Sequence, residues 1–193
     1  MDIKAFIFDM DGLLFDSERI VQRSWEIAGD ELRIPHMGDV IYHTLGMNRA
    51  GRNEYFRKYI REDFPFEEFG KLTRDNFWKI VDKEGLPLKK GAKELLAYGK
   101  SQGYKMAVAT SSSREYAMGN LIRAGIDSYF DSVVCGDMVK KAKPDPEIYQ
   151  KACESLGIQP EYCMAFEDAP GGILSAHQAG MHVIMVPDLV QPT

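Results

Sequence analysis

Continuously hydrophobic runs alternate with helical stretches along most of the chain. Five short runs are apolar at nearly every position, which is typical of strands covered on both faces of a sheet: residues 3–8, 104–110, 132–135, 163–166 and 182–186. Helical patterns cover residues 92–102, 115–124, 146–156 and 172–178, and a glycine just beyond each indicates its C-terminus: Gly103, Gly125, Gly157 and Gly180. Strand alternating with helix predicts an α/β protein with a doubly wound, mainly parallel sheet and right-handed crossovers.

One interval departs from this alternation. From residue 16 to residue 86 the pattern is helical throughout, far longer than the dozen or so residues of an ordinary crossover. We therefore predict a core domain formed by residues 1–15 and 87–193, and an inserted all-helical domain at residues 16–86. The aromatic residues of the insertion are expected to form a small core of its own: Trp25, Tyr42, Tyr55, Phe56, Tyr59, Phe64, Phe66, Phe69, Phe77 and Trp78.

Composition narrows the class of protein. The 193 residues carry 24 Lys and Arg against 29 Asp and Glu, a net charge of −5, whereas a nucleic-acid-binding surface normally shows as a basic stripe. The cysteines Cys135, Cys153 and Cys163 are widely spaced without a CxxC pair, which is typical of a reduced protein rather than of a disulfide framework or a zinc site. No run approaches the roughly 18 apolar residues of a membrane span. We expect a cytoplasmic protein that binds neither nucleic acid nor membrane.

Candidate chemistry begins at the ends of the first two strands. Asp9 and Asp11 follow the first strand, where two carboxylates can share a divalent cation or form an ordinary turn. Thr110 and Ser111 end the second strand just before a helix. Hydroxyls and free backbone N–H groups at such a position bind an anion or cap the helix.

Two further signals come later in the chain. Lys143 lies in a proline-rich approach to a helix, and Glu167 and Asp168 follow the fourth strand. Each alone has an ordinary explanation as a solvated side chain. Because parallel α/β sheets bind ligands at the carboxyl ends of their strands, we expect all these groups to meet at one edge. Carboxylates, hydroxyls and a lysine together suit a phosphoryl group beside Mg²⁺, in a phosphate-transferring enzyme or a phospho-accepting signalling domain.

The order of these motifs resembles that of the haloacid dehalogenase-like phosphohydrolases, specifically those with a helical cap inserted after the first strand. The resemblance spans essentially the whole chain and rests on four motifs in order: Asp9-Met10-Asp11-Gly12-Leu13, Thr110-Ser111, Lys143 before Pro144-Asp145-Pro146, and Glu167-Asp168. Within the family the chain is similar to β-phosphoglucomutase-like members and to phosphatases of sugar phosphates and pseudouridine 5′-phosphate. The resemblance also implies a short strand and a closing helix beyond Thr193.

The resemblance implies a role for each motif. Asp9 is expected to be the nucleophile that forms an aspartyl-phosphate, and Asp11 to be the general acid and base. Thr110, Ser111 and Lys143 are expected to bind the phosphoryl group.

The implied cofactor is Mg²⁺, held by Asp9, the carbonyl of Asp11 and Asp168, with Glu167 either binding the ion directly or supporting the residues that do. The implied activity is Mg²⁺-dependent hydrolysis of a small phosphorylated metabolite, either a sugar phosphate or a nucleotide-like monophosphate. The protein is expected to be a monomer.

Three alternatives make different demands on the sequence. A receiver domain places its acidic pair and its phospho-acceptor on different strands and has no insertion of this length. A dehalogenase lacks an acid at the position of Asp11. A β-phosphoglucomutase-type mutase is the main alternative, because Arg49 can bind a second phosphate, although the same residue is equally well explained as a solvated arginine at the start of a helix. The helper histidine of the mutases has no counterpart near Val21. The sequence therefore favours a phosphatase.

Overall fold

The structure is a computed structural model that describes residues 2–44 and 49–188. It divides the chain into two compact units, Met1–Asp16 with Leu86–Thr193 and Ser17–Gly85. Among the described residues, the first unit contains five strands: β1 (Ala5–Phe8), β2 (Lys105–Thr110), β3 (Ser132–Cys135), β4 (Cys163–Glu167) and β5 (His182–Met185). The helices, of which α1–α4 belong to the second unit, are α1 (Ser17–Glu31), α2 (Met37–Thr44), α3 (Arg49–Tyr59), α4 (Phe66–Glu84), α5 (Ala92–Ser101), α6 (Arg114–Arg123), α7 (Glu147–Leu156) and α8 (Pro170–Gln178).

The five strands form one parallel sheet in the order β3-β2-β1-β4-β5. β1 lies at the centre, between β2 and β4. The chain therefore winds outward from β1 in both directions, and this confirms the predicted α/β class with a doubly wound parallel sheet.

Helices on both faces of the sheet explain why its strands are hydrophobic at consecutive positions. Ala5 and Ile7 of β1 are buried in a cluster with residues of α7 and α8. Phe6 and Phe8 point to the opposite face, where α5 approaches the sheet at Gly99. Both faces of β1 are thus covered, as the unbroken apolar run predicts.

Glycine ends the helices at the predicted positions. All four have a positive φ, between 65° and 87°, which glycine adopts without the steric cost that a Cβ would add: Gly103, Gly125, Gly157 and Gly180. No helix within residues 2–44 and 49–188 is long and apolar enough to cross a membrane.

The second unit is built on its aromatic residues. α1 packs against α2 and α4, and Phe56 of α3 lies at the centre of a ring cluster. The centroid of its ring is 5.7 Å from that of Trp25, 4.7 Å from that of Phe64 and 5.9 Å from that of Phe69. All four side chains are buried, which confirms the predicted aromatic core for these positions.

The same prediction is wrong for three other aromatic residues. Trp78 is 45% exposed, and Tyr42 and Tyr59 are exposed as well. Indole and phenol groups each carry a polar atom that water solvates, so their exposure costs less than that of a phenylalanine ring.

The two segments that join the units are hydrogen bonded to each other within the first unit. The N–H of Asp16 donates to the carbonyl of Pro87 at 2.9 Å, and the N–H of Lys89 donates to the carbonyl of Leu14 at 2.9 Å. The chain therefore leaves the first unit and returns to it through a short antiparallel pair of segments.

Candidate active site

Parallel pairing brings the candidate residues to one edge of the sheet. β1 and β4 are in register with Phe8 opposite Phe166, and β2 lies on the other side of β1. Asp9, Thr110 and Glu167 consequently lie at the carboxyl ends of three adjacent strands, and all three are buried. The predicted edge is the one that open α/β sheets use for ligands.

Lys143 connects two of these groups. Its ammonium donates to Oδ1 of Asp9 at 2.6 Å, to Oε1 of Glu167 at 2.6 Å and to the carbonyl of Ala109 at 2.9 Å. The lysine side chain is only 9% exposed although it comes from the loop before α7. Three motifs that are far apart in the chain therefore meet at one ammonium group.

Glu167 is held by four donors. Its Oε1 accepts from Lys143 and from the phenol of Tyr149 at 2.8 Å, and its Oε2 accepts from the backbone N–H groups of Asp168 and Ala169 at 3.1 and 3.2 Å. A buried carboxylate with this many partners has a fixed orientation, and its burial is compensated by hydrogen bonds.

The acidic residues of the site outnumber its lysine. Asp9, Glu167 and Asp168 each place an oxygen within 4.8 Å of the others. Burial raises the pKa of Asp9 to about 7, although Lys143 acts in the opposite direction. Burial lowers the pKa of Lys143, but Asp9 and Glu167 outweigh burial and the pKa is raised. Three carboxylates around one ammonium carry an excess of two negative charges when all are ionised, and oxygen ligands with that excess suit a hard divalent cation.

Gly12 lets the chain after β1 pass close to Asp168. A Cβ at this position would lie 2.3 Å from Oδ2 of Asp168, and the φ of Gly12 is +85°. Any side chain here would displace the Asp168 carboxylate, so glycine is required by space as well as by backbone conformation.

Asp11 is held by two hydroxyl groups. Its Oδ2 accepts from the hydroxyl of Ser112 at 2.7 Å, and its Oδ1 accepts from the phenol of Tyr116 at 3.1 Å. The Asp11 carboxylate is not part of the cluster that Asp9, Glu167 and Asp168 form.

The segment after β2 both caps a helix and presents hydroxyl groups, the two roles that the sequence allows for it. The hydroxyl oxygen of Thr110 accepts from the N–H of Ser112 at 3.1 Å, and the hydroxyl can also donate its own proton to an acceptor such as an anion. Ser111 is exposed at the same edge. Ser113 caps α6 by accepting from the N–H of Tyr116 at 3.4 Å. One segment therefore supplies a helix cap and hydroxyl groups that can face an anion.

The predicted substrate residue of the insertion is not described. Residues 45–48 and the side chain of Arg49 lie outside the described part of the structure. Val21 lines a cavity of about 610 Å³ within the helical unit, together with Trp25, Arg52 and Arg74.

Sequence reasoning missed Tyr149, Tyr116 and Ser112. The two tyrosines share a position that could have indicated them, because each is the third residue of the helix that follows a predicted motif. Ser112 lies directly after Thr110-Ser111, and only the fold shows that its hydroxyl points to Asp11.

Comparison with known proteins identifies the family. The family model described as haloacid dehalogenase-like hydrolase matches residues 3–180, which is most of the chain. The chain belongs to the haloacid dehalogenase-like hydrolases, which confirms the family that the four motifs indicate.

Individual relatives are similar over nearly the whole chain. YhcW of Bacillus subtilis, provisionally named a phosphatase, is 34% identical over 99% of this chain and 86% of its own length. The phosphorylated carbohydrates phosphatase of Thermotoga maritima is 33% identical over 94% of this chain and 84% of its own length. A crystal structure from Thermotoga maritima, provisionally assigned as a β-phosphoglucomutase, superposes with a TM-score of 0.81 at 30% identity and covers 99% of this chain and 88% of its own.

Proposed function

We propose that the protein is a Mg²⁺-dependent phosphatase that hydrolyses a small phosphomonoester through a phosphorylated Asp9. In this proposal residues 1–15 and 87–193 are the catalytic core, and residues 16–86 are its helical cap. The observation that carries the proposal is the buried ammonium of Lys143 between Asp9 and Glu167, with Asp168 beside them at the carboxyl edge of the sheet.

The contacts of Asp9 suit a nucleophile. Lys143 holds one of its oxygens, and burial removes most of the water that would otherwise solvate the carboxylate. In the first step an oxygen of Asp9 forms a bond to phosphorus while the bond to the leaving oxygen breaks, and the Asp11 carboxyl gives that oxygen a proton. In the second step water attacks the phosphorus and gives a proton to Asp11 while the bond to Asp9 breaks, which releases inorganic phosphate.

The surrounding donors suit a transferring phosphoryl group. Lys143 neutralises negative charge on the phosphoryl oxygens, and the Thr110 hydroxyl and the segment at Ser111 supply hydrogen-bond donors on the β2 side. Phosphoryl transfer needs mainly positioning and charge stabilisation, so a rigid, buried lysine is well matched to it.

The residues also fit a magnesium ion. Asp9 and Asp168 offer side-chain oxygens as ligands. The resemblance to the family adds the backbone carbonyl oxygen of Asp11 as a further ligand. When bound, Mg²⁺ supplies positive charge that stabilises the phosphoryl oxygens. Glu167 already accepts from four donors, so we assign it to holding Lys143 rather than to binding the ion directly.

The substrate we propose is a phosphorylated carbohydrate. The Thermotoga maritima relative is named for such substrates, and it matches 94% of this chain. A nucleotide-like monophosphate is the second substrate class. The acidic composition and the unpaired cysteines agree with a cytoplasmic enzyme, and we expect it to act as a monomer.

A substrate panel tests the reaction. Phosphate release from sugar phosphates and nucleoside monophosphates is measured with Mg²⁺ and with a chelator. We expect release only with Mg²⁺, and a loss of about 10³-fold or more in Asp9→Asn. Asp9→Asn should fold as stably as the wild type, since burial already disfavours the charge of Asp9. Asp75→Asn, at an exposed position of α4, is the matched control and should keep full activity.

Three results would contradict the proposal. Hydrolysis by Asp9→Asn at a rate close to that of the wild type would exclude covalent catalysis at Asp9. No turnover of any phosphomonoester by the wild type would favour a phospho-accepting module. The third result concerns β-glucose 1-phosphate incubated with a trace of the 1,6-bisphosphate. If glucose 6-phosphate forms faster than inorganic phosphate, the protein is a mutase, although the helper histidine of the mutases has no counterpart near Val21.

A further inference from the structure

The carboxylate of Asp11 has a hydroxyl donor on each of its oxygens. Ser112 donates to Oδ2 at 2.7 Å, and Tyr116 donates to Oδ1 at 3.1 Å. The two donors come from different elements, since Ser112 lies in the loop after β2 and Tyr116 lies in the first turn of α6. Rotation of the carboxylate about its Cβ–Cγ bond would break both hydrogen bonds at once.

The loop that carries Ser112 is itself fixed. The N–H of Ser112 donates to the hydroxyl oxygen of Thr110 at 3.1 Å, and the carbonyl of Ser112 accepts from the N–H of Gly136 at 2.8 Å. A Cβ at Gly136 would lie 2.2 Å from the carbonyl oxygen of Ser111, so the loops after β2 and β3 are in close contact. The Ser112 hydroxyl is therefore presented from a rigid backbone.

The position of Tyr116 is fixed by the start of α6. Its N–H donates to the side chain of Ser113, which caps the helix, and its carbonyl accepts from the side-chain amide of Asn120 at 2.9 Å. Asn120 is buried. Side chains in a helix lean toward its N-terminus, so a tyrosine in the first turn reaches back over the end of β2.

We propose that Ser112 and Tyr116 are positioning residues that set the orientation of the Asp11 carboxylate for proton transfer. This inference rests on the proposed function, in which Asp11 gives a proton to the leaving oxygen in the first step and takes one from water in the second. A general acid works only within hydrogen-bond reach of the group that it protonates. The two hydroxyls fix the carboxylate through both of its oxygens and need not contact phosphorus themselves.

The leaving group distinguishes this role from general structural support. A sugar alkoxide is a poor leaving group and needs a proton as its bond to phosphorus breaks, whereas p-nitrophenolate leaves with little help. Misplacing Asp11 should therefore reduce kcat/KM for a sugar phosphate much more than kcat/KM for p-nitrophenyl phosphate. A change that merely loosens the fold would reduce both by the same factor.

The test measures kcat/KM on glucose 6-phosphate and p-nitrophenyl phosphate for wild type, Tyr116→Phe, Ser112→Ala and Ser112→Thr. For Tyr116→Phe and Ser112→Ala we expect a loss of about ten-fold on the sugar phosphate, below the ~10²–10⁴-fold value of a general acid, and less than about three-fold on the aryl phosphate. Ser112→Thr keeps the hydroxyl and should restore most of the activity. Tyr98→Phe, at an exposed position of α5, is the matched control.

A second comparison uses the Asp11→Asn background. Once the acid is gone, Tyr116→Phe should cause no further loss on the sugar phosphate. Equal losses on both substrates, or the same factor in the Asp11→Asn background, would overturn the positioning role while leaving the phosphatase intact. An inactive wild type would instead refute the proposed function itself, and this inference with it.

Discussion

Replacing Tyr149 by Phe would remove a single oxygen atom from the centre of the site. Tyr149 is fully buried, its phenol donates to Glu167 at 2.8 Å, and the phenol oxygen accepts from Lys143 at 3.3 Å. The ring of a phenylalanine would keep the packing and the contact with the Lys143 ammonium, which lies 4.9 Å from the ring centroid. The substitution therefore isolates the two hydrogen bonds of the hydroxyl.

The magnitude follows from the charge of the partners. A hydrogen bond to a charged group contributes about 1.5–3 kcal/mol. We count only the bond to Glu167 at 2.8 Å, because the bond from Lys143 is long at 3.3 Å, and the full value applies because the site is buried. At about 2–4 °C per kcal/mol for a chain of this size, the melting temperature should fall by about 3–12 °C. Activity should fall as well, because Lys143 and Glu167 each lose one of the partners that fix them.

Calorimetry is the suitable assay, because both tryptophans lie in the helical unit and their fluorescence does not report on the core. Tyr98→Phe removes a hydroxyl from an exposed ring and should shift the melting temperature by about 1 °C or less. In a Glu167→Gln background the Tyr149→Phe effect should shrink, since the carboxylate acceptor is gone. A melting temperature equal to that of the wild type would refute the reasoning.

Three further substitutions test other parts of the structure. Phe56→Ala should destabilise the helical unit by about 3–5 kcal/mol in tryptophan-monitored denaturation, and a loss under about 1 kcal/mol would contradict its central position. Gly12→Ala should abolish phosphate release at near-native far-UV circular dichroism, because its Cβ would lie 2.3 Å from Asp168. Burial raises the pKa of Asp131, but hydrogen bonds and Lys105 bring it below its ordinary 3.8. Asp131→Asn should therefore be less stable than wild type at neutral pH, with a gap that closes below about pH 4; a constant gap would contradict this.

The sheet was predictable because its strands carry an unambiguous pattern. A strand buried on both faces reads as an unbroken apolar run, and the fold rules for parallel sheets then place the ends of β1, β2 and β4 at one edge. The exact bounds depend on hydrogen bonding that the pattern does not contain. The first run begins at residue 3, whereas pairing begins at Ala5, and α8 begins at Pro170, because proline suits the first turn of a helix.

The hydrogen bonds that support the site residues could not be predicted from the sequence. Lys143 could be singled out because it stands in a proline-rich motif, and it was expected at the same edge as Asp9 and Glu167. Its direct hydrogen bonds to both carboxylates became evident only through the fold. Ser112 reads equally well as a helix cap, and the cap proves to be Ser113. The sequence also did not predict that Trp78 is exposed, because a helical pattern does not show which aromatic residues face the core.

Tyr116 and Tyr149 nevertheless follow one geometric principle. Each is the third residue of its helix, α6 or α7, and each donates its phenol proton to a carboxylate at the carboxyl edge of the sheet, Asp11 or Glu167. A side chain in the first helical turn leans toward the N-terminus, and in an α/β fold that end of the helix faces the strand ends. A tyrosine is long and rigid enough to span the gap, and it delivers one donor at the loss of few side-chain rotamers. Strand ends thus supply the acidic groups of this site, and the first turns of two later helices supply the hydroxyls that orient them.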